Sequence, residues 1–203
     1  MNAKEAQVTA AILVCGAILN YGYPVVARAV SLPSGIEFVI VAYCLIVLLV
    51  PLRIGEVVAI GIFSGVLNIL TSPVHVATIL GGQSFSAAGF MAFFNLISEP
   101  VGIIVCFIAF TYLAGKLRFT SPLVASFIAT FASGLAYLLL VFLFNPALPA
   151  TQPEFLGSFL NRVAMAAVVN AVLVQLIFMA VKRPMKAFLA GPVPGNAGNK
   201  REG

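Results

Sequence analysis

The stretch LVASFIATFASGLAYLLLVFLF, residues 123–144, contains 22 residues and no charged side chain. At about 1.5 Å per helical residue, a run of this length matches the roughly 30 Å hydrocarbon core of a bilayer. Five further apolar segments accompany it. The predicted spans are Val8–Val26, Ile36–Leu52, Gly55–Leu70, Phe90–Gly115, Leu123–Phe144 and Phe159–Val181. The sequence therefore predicts an all-α, polytopic membrane protein with six transmembrane helices.

The basic residues are distributed unevenly between the two sides that six crossings define. Nine of them lie on the side that holds both termini: Lys4, Arg53, Lys116, Arg118, Lys182, Arg183, Lys186, Lys200 and Arg201. Only Arg28 and Arg162 lie on the opposite side. Because cytoplasmic loops carry an excess of lysine and arginine, we expect a multi-pass protein of the cell membrane with both termini in the cytoplasm.

The overall composition agrees with a membrane protein. Hydrophobic residues make up 62% of the chain and charged residues only 8%, whereas a soluble domain carries roughly 25% charged residues. The net charge of +5 lies mostly on the predicted cytoplasmic side, where it favours contact with anionic lipid of the bilayer. The basic residues form no stripe on a soluble face, so nucleic acid is not an expected partner.

The chain shows no internal repeat and no separable soluble domain. Residues 1–187 are predicted to form one six-helix transmembrane domain, and the glycine-rich residues 188–203 a disordered cytoplasmic tail. Ala27-Arg28-Ala29 has the small-x-small form of a signal-peptide cleavage site. The apolar run before it is longer than a typical signal core of about 7–15 residues, so a retained helix is favoured.

Polar side chains inside the spans or at their ends are the candidates for substrate binding, because their burial in lipid is costly. They are Asn95, Glu99, Asn161, Arg162, Arg28, Glu37, His75, Asn68, Tyr23 and Asn170. Glu99 follows Asn95 by four residues, so both lie on one helix face. Apart from the loop residue His75, these side chains are predicted at the outer third of the membrane. That depth suits a small polar or amphipathic ligand captured from outside.

Each candidate also has a purely structural interpretation. Tyr23 fits an interfacial aromatic belt, and Arg28, Glu37 and Arg162 fit charges that extend into water. The asparagines are equally suited to hydrogen bonds between helices. Glu99 is harder to explain structurally because its span is otherwise apolar, although a pairing with Arg28 or Arg162 would account for it.

Catalytic, metal and cofactor sites are not predicted. Ser64 follows Phe63 and Ile62, whereas the intramembrane serine-protease pattern needs glycine at position 62. His75 has no companion at metal-ligand spacing, and no Walker motif is present. Three cysteines fall inside apolar spans without C-x-x-C spacing: Cys15, Cys44 and Cys106. We therefore expect no enzyme activity, no metal site and no cofactor.

Pairs of small residues four apart indicate where helices can approach closely. Gly61 and Gly65 form one pair, and Ala6 and Ala10 form another at the cytoplasmic end of the first segment. Such pairs are common in membrane helices and are a weak signal alone. The position of Ala6 and Ala10 would allow a partner helix to dock there.

Three stretches resemble one family. Residues 53–65, RIGEVVAIGIFSG, are similar to the glycine-rich third helix of substrate-binding S components of energy-coupling factor (ECF) transporters, which are prokaryotic importers of the ABC type. Residues 95–102, NLISEPVG, resemble the start of the family's fourth helix, and residues 182–186, KRPMK, its basic ending. The resemblance covers roughly residues 3–187 and rests on architecture more than on a diagnostic string.

The resemblance implies a function divided among several subunits. An S component binds a vitamin-like small molecule from outside and associates with a membrane coupling protein carrying two cytoplasmic ATPase subunits. The family's Ala-x-x-x-Ala docking surface maps onto Ala6 and Ala10. The cobalt and nickel subgroup begins with Met-His, whereas this chain begins with Met1-Asn2, so metal uptake is disfavoured.

Two other functions remain open from sequence. The chain could be a stand-alone carrier or facilitator, including a proton-coupled one that uses Glu99, or a structural subunit of a membrane complex. The ligand's charge is also open. Arg28 and Arg162 favour an anionic compound, whereas Glu37 and Glu99 favour a cationic or amine-bearing one.

Overall fold

The computed structural model describes residues 1–29, 36–71, 92–117, 119–146 and 153–191, without the side chains of residues 25, 28 and 29. These residues form six α-helices and no strands. The helices are α1 (Ala3–Ala29), α2 (Phe38–Leu49), α3 (Ile54–Thr71), α4 (Asn95–Leu113), α5 (Ser121–Phe144) and α6 (Phe155–Ala190). Of these six, all but α2 are long and apolar enough to cross a membrane. The prediction of an all-α polytopic membrane protein is confirmed.

The second helix is shorter than predicted. It covers Phe38–Leu49 rather than Ile36–Leu52 and has 12 residues, which is about 18 Å and less than the roughly 30 Å of a bilayer core. Its ten residues from Val39 to Leu48 are all buried. A helix that is apolar on every side belongs in a core, and α2 accordingly contacts each of the other five helices.

The longer helices surround α2 in chain order. Helix α3 packs on α4, α4 on α5 and α5 on α6, while α1 covers α2 and part of α3. The contact between α3 and α4 is close at two glycines. A Cβ atom at Gly61 would lie 2.7 Å from Pro100 Cα, and one at Gly65 would lie 2.5 Å from Asn95 O. The small-residue pair therefore brings the two backbones together, as the sequence indicated.

Both ends of the described chain lie at one end of the bundle. Lys4 Nζ donates hydrogen bonds to Phe188 O at 3.1 Å and Gly191 O at 2.6 Å. The amino group of Met1 pairs with the Glu56 carboxylate at the start of α3.

The outermost helices extend beyond their predicted spans. Helix α1 begins at Ala3 instead of Val8. Helix α6 runs from Phe155 to Ala190, 36 residues, instead of covering Phe159–Val181. The predicted tail at 188–203 therefore begins within the last turn of α6, and residues 192–203 lie outside the described ranges. The extra turns carry polar and basic residues, which the apolar criterion used for the spans leaves out.

Candidate functional site

The predicted site residues fall into three groups in the structure. Asn68, Asn95, Glu99 and Asn170 lie inside the bundle or half-buried at its helix contacts. Glu37, Asn161 and Arg162 are exposed, and Tyr23 is half-buried. His75 and the side chain of Arg28 lie outside the described residues. Within the first group, Asn68 and Glu99 are hydrogen-bonded to each other.

Asn68 and Glu99 make the central contact of this site. Asn68 Nδ2 donates a hydrogen bond of 2.8 Å to Glu99 Oε1, and the Glu99 side chain is only 1% exposed. Asn68 is on α3, one turn beyond Gly65, and Glu99 is on the second turn of α4. The close approach of the two helices at Gly65 allows the short asparagine side chain to reach the carboxyl. Glu99 is therefore bonded to Asn68 and not to Arg162, one of the two arginines suggested as its partner.

Two further helices contribute polar groups to the Glu99 carboxyl. Tyr43 from α2 and Ser133 from α5 lie next to it. Gly102, one turn after Glu99, leaves the space that they fill, because a Cβ atom there would overlap Tyr43 Oη and lie 2.9 Å from Ser133 Cβ. We name Tyr43, Asn68, Glu99 and Ser133 the interior cluster.

The interior cluster is not saturated with hydrogen bonds. Within the described part of the chain, Glu99 Oε2 and Tyr43 Oη have no partner that satisfies hydrogen-bond geometry. A buried polar atom without a partner costs about 1–3 kcal/mol. A cluster of such atoms inside an apolar bundle therefore provides hydrogen-bonding capacity for a ligand or a bound water.

Asn170 occupies a related position on α6. Its side chain is fully buried, and its Oδ1 accepts a hydrogen bond of 3.4 Å from the backbone N–H of Glu37, the residue before α2. This contact satisfies one of the donors that a helix leaves free at its start. Asn170 Nδ2 has no partner among the described residues. Asn170 thus positions the buried helix α2 and keeps one donor available.

Three other predicted residues frame this region without joining the cluster. Asn95 is 7% exposed and precedes Glu99 by one turn of α4. The Tyr23 ring packs edge-on against Phe38 at the start of α2, with 5.2 Å between ring centroids. The Glu37 side chain is exposed. The contact between Tyr23 and Phe38 joins α1 to the start of α2.

Asn161 and Arg162 are not part of the interior cluster. Both are exposed within the first two turns of α6, and the buried face of the helix begins at Val163, which packs against Gly134 of α5. Arg162 lines a surface depression of about 570 Å³ together with Glu154 and Phe155. The expected convergence of all the outer polar groups on one cavity is therefore not seen among the described residues.

Sequence reasoning missed Tyr43, Ser133 and Gly102. Tyr43 was the one polar group in the middle of an apolar segment, and Gly102 stands three residues after Glu99, on the same helix face. Ser133 continues a row of buried hydroxyls on α5 with Ser126 and Thr130. These patterns are present in the sequence, but only the packing of the helices shows that the three residues lie together.

The predicted docking pair lies on the outer side of α1. Ala10 is exposed and Ala6 is half-buried, whereas the neighbouring Val8, Thr9 and Leu13 face the bundle. The described part of the chain leaves the Ala10 side of α1 uncovered.

Comparisons with protein-family models, with curated proteins and with solved structures found no match to this chain.

Proposed function

We propose that this chain is the substrate-binding S component of an ECF-type transporter. It binds a vitamin-like small molecule and acts with a membrane coupling protein and two cytoplasmic ATPase subunits. The observation that carries the proposal is the interior cluster, where Glu99 Oε2 and Tyr43 Oη are buried without a hydrogen-bond partner among the described residues. A protein that only needed to fold in a membrane would gain stability by replacing these groups with apolar ones.

The chemistry of the cluster favours a ligand that donates hydrogen bonds. The Asn68 amide already occupies Glu99 Oε1, which leaves Oε2 as an acceptor beside the Tyr43 hydroxyl. Arg162 is exposed and lines a surface depression with Glu154 and Phe155. An amine- or amide-bearing ring therefore suits the cluster better than a carboxylate-bearing compound. With no tryptophan in the chain, stacking on such a ring would come from phenylalanine and tyrosine.

The proposed coupling step uses the uncovered side of α1. Ala10 presents a small side chain there, next to the end of the bundle that holds Lys4 and the end of α6. A coupling helix could approach closely at such a position. The excess of basic residues at this end supports a cytoplasmic orientation, in which the ATPase subunits can act.

The test combines co-purification with uptake. The tagged chain is purified from its own host, the associated proteins are identified, and the bound small molecule is identified by mass spectrometry. We expect a coupling protein and ATPases to co-purify. Uptake of the identified molecule into liposomes should require those subunits and ATP. Uptake by the chain alone would identify a stand-alone carrier and contradict the proposal.

Ala10→Trp tests the docking surface within the same experiment. The bulky ring should hold the coupling helix away and lower ATP-driven uptake about tenfold or more, while the chain still retains its bound molecule. Ala59→Trp is the matched control, because Ala59 is also exposed but lies on α3. Equal uptake by the Ala10 and Ala59 variants would remove α1 as the docking surface.

A further inference from the structure

A groove runs along the C-terminal half of α6, where it passes the turn between α4 and α5. Its volume is about 390 Å³. The residues that define this basic groove are Phe119, Gln175, Phe178, Lys182, Arg183 and Lys186. It is separate from the interior cluster and combines positive charge with aromatic surface.

The basic groove contains three cations that form no ion pair with another described residue. Lys182, Arg183 and Lys186 lie on one side of α6, and none of them pairs with a carboxylate in the described ranges. Arg183 and Lys186 are exposed, and Lys182 Nζ lies 5.0 Å from the centre of the Phe178 ring. Together they concentrate positive charge in this groove.

Gln175 adds a buried acceptor to this groove. Its side chain is only 7% exposed, and Nε2 donates a hydrogen bond of 3.0 Å to Phe119 O in the α4–α5 turn. Oε1 has no partner among the residues that the structure describes. The bond to Phe119 fixes the amide plane, so Oε1 is held in place to accept a hydrogen bond from a hydroxyl.

The depth of the groove corresponds to the membrane surface. Helix α4 ends at Leu113 and α5 begins at Ser121, so the turn between them marks one boundary of the bilayer. Phe119 in this turn is 69% exposed, which suits an acyl-chain or interfacial environment. Helix α6 is about 54 Å long against a core of roughly 30 Å, so it continues past this boundary. The cations therefore lie where lipid phosphates lie.

We propose that the basic groove binds an anionic phospholipid with a hydroxyl-bearing headgroup. Lys182, Arg183 and Lys186 hold the phosphate, Gln175 Oε1 accepts a hydrogen bond from the headgroup hydroxyl, and Phe119 contacts the acyl chains. This inference is independent of the proposed transport function, because no residue of the interior cluster takes part in it.

The test measures lipid binding to the purified full chain in a neutral detergent. Native mass spectrometry follows titrations with phosphatidylglycerol, phosphatidylcholine and glycerol phosphate, the headgroup without chains. We expect phosphatidylglycerol to bind at least about tenfold more tightly than either of the others. Arg183→Gln with Lys186→Gln should weaken phosphatidylglycerol binding about thirtyfold, because each cation near an anionic surface contributes about 1 kcal/mol.

The matched control removes two exposed charges at the same end of the bundle that do not line the groove. Arg53→Gln with Lys116→Gln should change the affinity for phosphatidylglycerol by less than about threefold. Equal losses in both double variants would indicate general attraction and overturn the site. Equal affinity for phosphatidylcholine would overturn it as well, and tight binding of glycerol phosphate alone would assign the groove to a soluble phosphate. Because Arg183 and Lys186 are exposed, both double variants should keep the wild-type melting temperature without lipid.

Discussion

The interior cluster and the basic groove each contain one side chain that is half satisfied. Among the described residues, Glu99 is hydrogen-bonded through Oε1 but not Oε2, and Gln175 through Nε2 but not Oε1. The surroundings differ. Four helices enclose Glu99, whereas the groove beside Gln175 opens between exposed basic side chains. Water can hydrate the groove but is largely kept from the cluster, so the same missing bond costs more inside.

This difference separates two ways in which a membrane protein uses polar residues. Interior groups must be positioned accurately by packing, because little water is present to form a hydrogen bond with a group that is misplaced. Groups at the membrane surface need only the right charge at the right depth. Substitutions inside should therefore change stability strongly, and substitutions at the surface should change mainly lipid binding.

The largest effect is expected where packing positions the interior cluster. Gly65→Leu would place a side chain against the backbone oxygen of Asn95, which cannot move without separating α3 from α4. We expect the free energy of unfolding in detergent to fall by about 3 kcal/mol and the Asn68–Glu99 bond to be lost.

Gly22→Leu is the control for this substitution. No described atom outside the neighbouring turns of α1 lies within 4 Å of a Cβ at Gly22, so leucine should leave stability unchanged or raise it by up to about 1 kcal/mol through helix propensity. Thermal and denaturant unfolding of both variants make the comparison. Equal destabilisation would show that the α3–α4 contact does not depend on the glycine.

The fold could be predicted from the sequence because nearly every segment is apolar and is followed by residues that end a helix. Six helices in the predicted order needed only runs of hydrophobic residues and breaks such as Pro51. The depth of α2 could not be predicted this way. A helix that is apolar on every side has no polar face, so hydrophobic periodicity cannot distinguish a lipid-exposed span from a buried core helix. Its shortness became clear only from the helix bounds.

The site was predicted in part. Asn68 and Glu99 were both placed in the outer third of the membrane, and they are hydrogen-bonded in the structure. Asn161 was assigned to the same level but is exposed. Hydropathy gives the approximate depth of a residue, whereas the rotation of its helix decides what it faces. That rotation is set by contacts such as Val163 against Gly134, which a single sequence does not encode locally.

A smaller effect is expected from the hydrogen bond inside the cluster. Asn68→Leu removes the donor to Glu99 and leaves the carboxyl without that bond in an apolar surrounding. Because leaving a buried polar group without its partner costs about 1–3 kcal/mol, we expect a loss of about 2 kcal/mol in unfolding free energy. Asn161→Leu, at an exposed position of α6, should change it by less than about 0.5 kcal/mol.

Binding measurements on the same two variants extend the comparison. If the cluster binds the transported molecule, Asn68→Leu should also weaken its binding about tenfold or more, because Glu99 would no longer be held in place. Asn161→Leu should leave the affinity unchanged. A destabilised Asn68 variant with normal affinity would assign the cluster to folding alone and move the binding site elsewhere.

The smallest expected effect tests whether the burial of a lysine or only its charge determines stability at the basic end of the bundle. Lys4 is 4% exposed and donates to the carbonyls of Phe188 and Gly191, so it satisfies acceptors that the end of α6 would otherwise leave free. Lys4→Met should lower the unfolding free energy by about 1 kcal/mol, since a cation at a helix C-terminus is worth up to about that amount. Lys186→Met removes the same charge from an exposed position of the same helix end and should change stability by less than about 0.5 kcal/mol.

Melting temperatures in neutral detergent, with and without phosphatidylglycerol, separate the two roles. Lys4→Met should lower the melting temperature in both conditions, whereas Lys186→Met should reduce only the stabilisation that the lipid provides. If both variants behaved alike, net charge and not depth would govern this end of the molecule, and the contrast between the enclosed and open polar sites would fail.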